Sequence, residues 1–449
     1  MYLIDKRPEF RPEKPSSDPY RMLVWIMLIL GCVLLLRAVN TGQVQPLFSP
    51  TLTPTRNANS FAFEGETHFK AGDLNKAIIA YNNATRLSPN DGELWSKLAR
   101  IQTYSSNLLT TDKDRQKRLA EALQSADQAV KVSPENSDAW AIRAFTLDWN
   151  ANNPLNTEKR DSYMTESEQN AVRALQLDNQ NTLALAYYAE ILIDQQKWDQ
   201  SSQVITQAVA QANERNEQIM DVHRVNAYVN ESLGNYDVAI NEYKEAVKIT
   251  PNLTFLQISI GLNYRQLKQY ERAIEYFAQA ATINENLGVR DSIPYLAIGK
   301  TYTQMGEFFI AARNVKKAIQ YDPTSPDVYG QLGIVYFKSH NYEGSIDPLK
   351  CAIYGCDADT SCTIRDCDPK KDEKITIQGM PLSPNTVVYY YTYGSVLAGL
   401  HRKSQPYCNE AVKVLHQVRQ GFPQDQTILS IIKPSEEICS SYGIVYSGG

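Results

Sequence analysis

Cys351, Cys356, Cys362 and Cys367 stand in a C-x4-C-x5-C-x4-C run. Four thiolates can hold a tetrahedral zinc ion, or they can pair into two disulfides where the compartment is oxidising. Zinc sites more often use cysteines two residues apart beside a glycine-bearing turn, so disulfides within the run are the expectation, with three connectivities open. In the same stretch Asp357, Asp359, Ser361 and Asp368 fall at positions 1, 3, 5 and 12 of a helix-loop-helix calcium loop. Cys362 stands where that loop needs glycine, and Asp368 where it needs a longer, bidentate glutamate, which favours a solvated acidic loop. The five histidines, His68, His223, His340, His401 and His416, form no ligand set or catalytic set. No phosphate-binding glycine loop, nucleophile elbow or His-Glu-x-x-His pattern occurs. The expectation is a protein that is not an enzyme and uses no cofactor or metal.

The elements around these residues are set by a repeat. Small residues recur at a spacing near 34: Gly65, Ala99, Ala144, Ala189, Ala227, Gly261, Gly299, Gly333 and Gly394. With Gly261 at position 8 of a unit, Tyr264, Tyr270, Ala273, Phe277 and Ala280 fall at 11, 17, 20, 24 and 27. Small residues at 8, 20 and 27 let two antiparallel helices approach, and the aromatics fill the space between them. Gly65, Ala77, Tyr81, Ala84 and Pro89 repeat the register, as do Gly299, Tyr302, Phe308, Ala311, Ala318 and Pro323. Proline at the unit's end stops the second helix. This pattern resembles the tetratricopeptide repeat family over roughly residues 58 to 422, in about nine units.

The resemblance implies an all-α, right-handed superhelical solenoid of helical hairpins. The units headed by Ala99 and Ala144 each carry 11 extra residues, around Asn107 to Lys117 and Asn150 to Asp161, expected to project from one edge. Where Asn179, Asn213 and Glu285 replace the proline, the turn is weakly marked. Lys374 to Gln378 alternates and is read as a short strand or hairpin within a small cysteine-rich, β-hairpin-like insert covering the seam before the last unit. The family also implies a concave partner groove lined by each unit's first helix. Carried onto this chain, it comprises Arg224, Tyr228, Glu231, Phe255, Ile258, Leu262, Arg265, Gln266, Leu296, Lys300 and Gln304, an apolar floor flanked by basic residues that suits an extended peptide or a helix.

Met22 to Leu36 is an unbroken apolar run that Ala38 and Val39 extend past Arg37, long enough to span a bilayer. No small-x-small cleavage pattern follows, which favours an uncleaved anchor over a signal peptide, and Cys32 reads as a membrane cysteine rather than an acylation site. Lys6, Arg7, Arg11, Lys14 and Arg21 precede the run, so the N-terminus is expected in the cytoplasm and the repeats outside it. The boundaries read as a basic cytoplasmic tail (1–21), a transmembrane helix (22–39) and a Pro/Thr-rich stalk (40–57), then units 1–8 (58–350). The cysteine-rich insert (351–385), a ninth unit (386–422) and a C-terminal cap (423–449) follow.

Cys408 and Cys439 are expected to pair. A last unit has no following neighbour, and a short cap interrupted by Pro434 needs a covalent staple. A net charge of -5 with both signs interspersed leaves no footprint for nucleic acid, and no small-molecule substrate is evident. The functional expectation is a single-pass, cell-membrane scaffold that binds a protein partner outside the cytoplasm and supports a bacterial envelope complex. The alternative is an accessory subunit of a membrane enzyme or electron-transfer complex.

Overall fold

The computed structural model describes residues 18–41, 56–109, 112–368 and 370–446. Expectations about most of the basic tail and of the stalk lie outside these residues. The chain divides into two compact units, Met1–Arg56 and Asn57–Gly449. In the first, α1 (Pro19–Asn40) starts at an Asp18 cap that accepts from the Tyr20 amide at 3.1 Å, and it buries none of its side chains. Its 22 residues rise about 33 Å, enough to cross a hydrocarbon core of about 30 Å.

The second unit is a succession of antiparallel helix pairs. They are α2 (Ala58–Lys70) with α3 (Leu74–Leu87), α4 (Gly92–Ser105) with α5 (Asp112–Val132), α6 (Ser137–Ala151) with α7 (Arg160–Leu177), and α8 (Thr182–Asp194) with α9 (Trp198–Arg215). There follow α10 (Met220–Ser232) with α11 (Tyr236–Ile249), α12 (Thr254–Gln266) with α13 (Tyr270–Leu287), α14 (Ile293–Met305) with α15 (Phe308–Tyr321), and α16 (Pro326–Lys338) with α17 (Tyr342–Tyr354). After the insert, which holds α18 (Ala358–Arg365), come α19 (Val387–Gly399) with α20 (Cys408–Gly421), and the capping helix α21 (Gln426–Ser441).

The repeat register is a contact between two positions. A Cβ on Gly261 would lie 2.4 Å from the Phe277 ring, one on Gly65 2.5 Å from Tyr81, and one on Gly333 2.5 Å from Leu349. Each small residue on a first helix therefore seats the large residue on its paired second helix. Helix starts are set by side-chain caps: Asp73 accepts from the Lys76 amide, Asn136 from Ala139 and Asn181 from Ala184. The unit-ending prolines hold the next hairpin through their carbonyls, with Trp95 Nε1 donating to Pro89 at 2.9 Å and Trp140 Nε1 to Pro134 at 2.7 Å. At two of the three sites without proline, α9 and α13 overrun and stop at left-handed residues, Asn216 (φ 53°) and Gly288 (φ 67°), whereas α7 stops at Leu177 before an extended Asp178.

In the insert, β1 (Gly355–Cys356) pairs antiparallel with β2 (Ile377–Gln378). The chain then lays Met380 and Leu382 against the core of the last units, and the Tyr390 hydroxyl donates to the Met380 carbonyl at 2.7 Å. Cys351 is bonded to Cys356, Cys362 to Cys367, and Cys408 to Cys439. The acidic stretch is not a loop: Asp357 caps α18, which strings the oxygens along a helix instead of wrapping them around an ion. Pro434 does not end the cap either, since α21 runs through it to Ser441.

Candidate partner-binding site

The early hairpins and the middle ones meet across the concave face. Gly72, in the first hairpin's turn, abuts Asn252 so closely that a Cβ there would lie 2.2 Å from the Asn252 carbonyl oxygen. Tyr104 on α4 stacks on Phe255 of α12, with ring centroids 5.2 Å apart and planes 15° from parallel. Tyr104 also meets Phe145 and Trp149, and Phe145 stacks on Tyr187 at 4.4 Å. An aromatic column thus fills the axis of the superhelix where an open groove was expected.

Charged groups inside the column are matched one to one. Asp221, fully buried on α10, accepts from Arg100 Nε at 3.1 Å and from Arg100 Nη2, and also from the hydroxyls of Tyr104 and of Tyr187 (2.6 Å). Burial works to raise the Asp221 pKa, but Arg100, with Arg224 and the Tyr104 hydroxyl behind it, holds the carboxyl below its ordinary range. Glu190 on α8 takes a bidentate pair from Arg224, Nη1 at 2.8 Å and Nη2 at 2.5 Å, plus Trp149 Nε1 at 3.2 Å. Arg224 Nε donates to the Tyr104 hydroxyl at 3.0 Å, linking the two pairs.

Beside the column lies a cavity of about 510 Å³, walled by Trp149, Tyr228, Tyr243 and Phe255 and floored by Glu190 and Asp194. Both insertions contribute to it, the first through Ser106, Asn107 and Arg115, the second through Asn153 and Pro154. They fold over the cavity's mouth instead of projecting from an edge. The extra residues between paired helices are long enough to reach across, and Gln116 Nε2 ties them together by donating to Asn156 Oδ1 at 2.8 Å.

The family model described as tetratricopeptide repeat matches residues 58–91, 227–253 and 256–287. These segments carry tetratricopeptide repeats. Its repeats are similar to the BBSome complex member BBS4 of Bos taurus, 31% identical over 121 residues that cover 27% of this chain and 22% of the relative. The Mus musculus BBS4 is 26% identical over 106 residues, covering 24% of this chain and 19% of the relative. The chain thus spans about a fifth of the length of these curated relatives. A solved structure titled "Human IFIT1 dimer with PPP-AAAA" shares the fold at 16% identity, covering 86% of this chain and 92% of that one with a TM-score of 0.51.

The tetratricopeptide repeat groove residues divide into two sets. Arg224 is buried in its ion pair, Tyr228 donates to Asp194 Oδ1 at 2.6 Å, and Phe255 is covered by Tyr104. Glu231 is occupied by donors from the Tyr243 hydroxyl (3.0 Å) and Asn263 Nδ2 (2.9 Å). These four belong to the closed part. Further along, Ile258, Leu262, Arg265, Leu296 and Lys300 are half-buried, and Gln266 and Gln304 are exposed. Arg265 Nη1 is sealed from solvent with no hydrogen-bond partner, and burial alone lowers that guanidinium's pKa. The residues that sequence reasoning missed are Arg100, Tyr104, Asp148, Glu190, Asp194 and Asp221. Asp148 carried a legible signal, a lone carboxylate inside the apolar run Ala144-Phe-Thr-Leu-Asp148-Trp149.

Proposed function

We propose that this chain is a membrane-anchored scaffold whose repeats stand outside the cytoplasmic membrane of a bacterial cell and hold a protein partner while an envelope complex is assembled. The observation that carries the reading is the pairing, in one chain, of an apolar helix long enough to cross a membrane with a solenoid holding three disulfides. Disulfides persist in oxidising compartments, and the basic residues before α1 favour a cytoplasmic N-terminus. The partner surface in this reading is the open part of the groove, from Ile258 to Gln304, where apolar side chains alternate with Arg265 and Lys300. The relatives' name as members of a complex supports a role in assembly.

A photocrosslinking amino acid placed at Leu262 or at Lys300 in the full-length protein, irradiated in intact cells, should give one discrete adduct. The same residue at Glu275, exposed on the second helix of its pair, should give none. Equal adducts from all three positions, or none from the groove, would exclude the groove as the partner surface.

A further inference from the structure

The cavity beside the aromatic column has more carboxyls than free cations on its walls. Arg224 is spent on Glu190, and Arg115 at the mouth is spent on Asp112, to which its Nη1 donates at 3.1 Å. What remains is a pair of carboxyls. Asp194 lines the cavity and accepts from the Tyr228 hydroxyl and from Asn152 Nδ2, each at 2.6 Å. Asp148 stands behind it, fully buried and receiving no hydrogen bond, and its carboxyl, held neutral by burial, is the donor to Asp194. One polar side chain on the cavity wall is unsatisfied: Asn153, 5% exposed, uses Oδ1 to accept from the Leu155 amide at 2.9 Å but leaves Nδ2 without an acceptor.

An unsatisfied buried donor on the cavity wall, beside a carboxyl pair that shares one proton, costs stability. The cost is relieved by a molecule that brings a cation to the carboxyl pair and a hydrogen-bond acceptor to Asn153. Trp149, Tyr228 and Phe255 add aromatic faces and apolar walls, which suit an alkyl chain ending in an ammonium group. We propose that this cavity is a binding site for an alkylammonium group, held at Asp194 and Asp148 between the aromatic walls, whether it belongs to a free amine or to a lysine side chain. The inference stands apart from the membrane topology and from the open groove, which uses different residues.

The carboxyl pair sets a further property of the site. Burial raises the Asp148 pKa well above the carboxylate range, and Asp194 and Glu190 next to it add to the rise, with Arg224 the cation that opposes it. A cation arriving at Asp194 favours ionisation of Asp148, so binding releases a proton and strengthens as pH rises.

The test is calorimetric titration of the full-length protein in detergent with butylamine and with lysine blocked at both backbone ends. The neutral controls are butanol and the similarly blocked norleucine. Both amines should bind saturably and the controls should not, with proton release read from buffers of different ionisation enthalpy. Asp194→Asn should weaken both amines at least tenfold, while Asp148→Asn should abolish the proton release, each variant keeping the parent's helical circular dichroism. Blocked lysine binding more tightly than butylamine, with the margin lost in Asn153→Ala, assigns the site to a peptide side chain; equal affinities assign it to a free amine. Neutral controls binding as well as the amines, no saturable binding, or affinities unchanged in Asp194→Asn would overturn the proposal.

Discussion

Replacing Asp221 by alanine should destabilise the solenoid by about 3–5 kcal/mol, the cost of breaking a buried ion pair from one side. The carboxylate is fully buried and satisfies Arg100, Tyr104 and Tyr187 together. Its loss strands one cation and two hydroxyls at once. In a solenoid each repeat ordinarily touches its neighbours, but Arg100 and Asp221 are 121 residues apart in sequence. The variant should therefore lose hydrogen-exchange protection in α4 and α8 as well as in α10. Asp221→Asn keeps an acceptor and should cost less. The pH dependence has a defined sign: the folded carboxyl's pKa lies below its ordinary value, so its contribution is fully present above pH about 4. That contribution is lost as pH falls through the lowered folded value. The gap in denaturation midpoint between the parent and Asp221→Asn should accordingly be widest at neutral pH and close in acid. A gap that does not change with pH would show that Asp221 is not the ionised centre of the network.

Removing the disulfide between Cys408 and Cys439, as the paired alanine variant, should cost the C-terminal cap about 2–4 kcal/mol. The two cysteines are fully buried and 31 residues apart, so the bond closes a sizeable loop between α20 and α21. Little else pins α21 so firmly. Pro434 lies inside it, and its remaining ties include the Ile428 and Ile432 side chains and a two-bond pair from Arg419 to Glu436 at 3.1 and 2.5 Å. The loss should read as faster exchange in α20 and α21, with the hairpins before residue 350 unchanged, because repeat stability is passed between neighbours. The other two disulfides each span 5 residues and close far smaller loops, so removing either should cost less. Global unfolding of the paired variant at the parent's working temperature would mean that the cap nucleates the whole array.

The hairpins were legible because their determinant is local and periodic. Gly261 and Phe277 are 16 residues apart, and the same pairing returns at Gly65 with Tyr81 and Gly333 with Leu349. Repetition turns each contact into independent testimony for the others. The end caps followed from physical need: a terminal hairpin with an uncovered apolar face and two cysteines nearby has few ways to be stable.

Closure of the concave face was not legible, because nothing periodic marks it. Three hairpins lie between those of Tyr104 and Phe255, and either residue alone reads as an ordinary first-helix aromatic. Arg224 shows the same limit: its register position does not reveal that Glu190 already occupies its guanidinium. The 11-residue insertions were read as edges because their length is visible in the sequence and their direction is not. Only the folded chain brings Asn107 and Asn153 to the same cavity.

In the proposed function one helix carries the disulfide-stapled solenoid to the far side of a membrane, and thiol accessibility in intact cells tests that topology. Single cysteines are placed at Glu275 and Lys433, both exposed, and at Lys6 in the basic tail, in full-length protein whose Cys32 is replaced by alanine. A membrane-impermeant maleimide is then added before and after permeabilisation. The account predicts immediate labelling at Glu275 and Lys433 and labelling of Lys6 only once the membrane is opened. The reverse pattern, with Lys6 labelled in intact cells and the repeats protected, would contradict it and remove the oxidising environment that the three disulfides require.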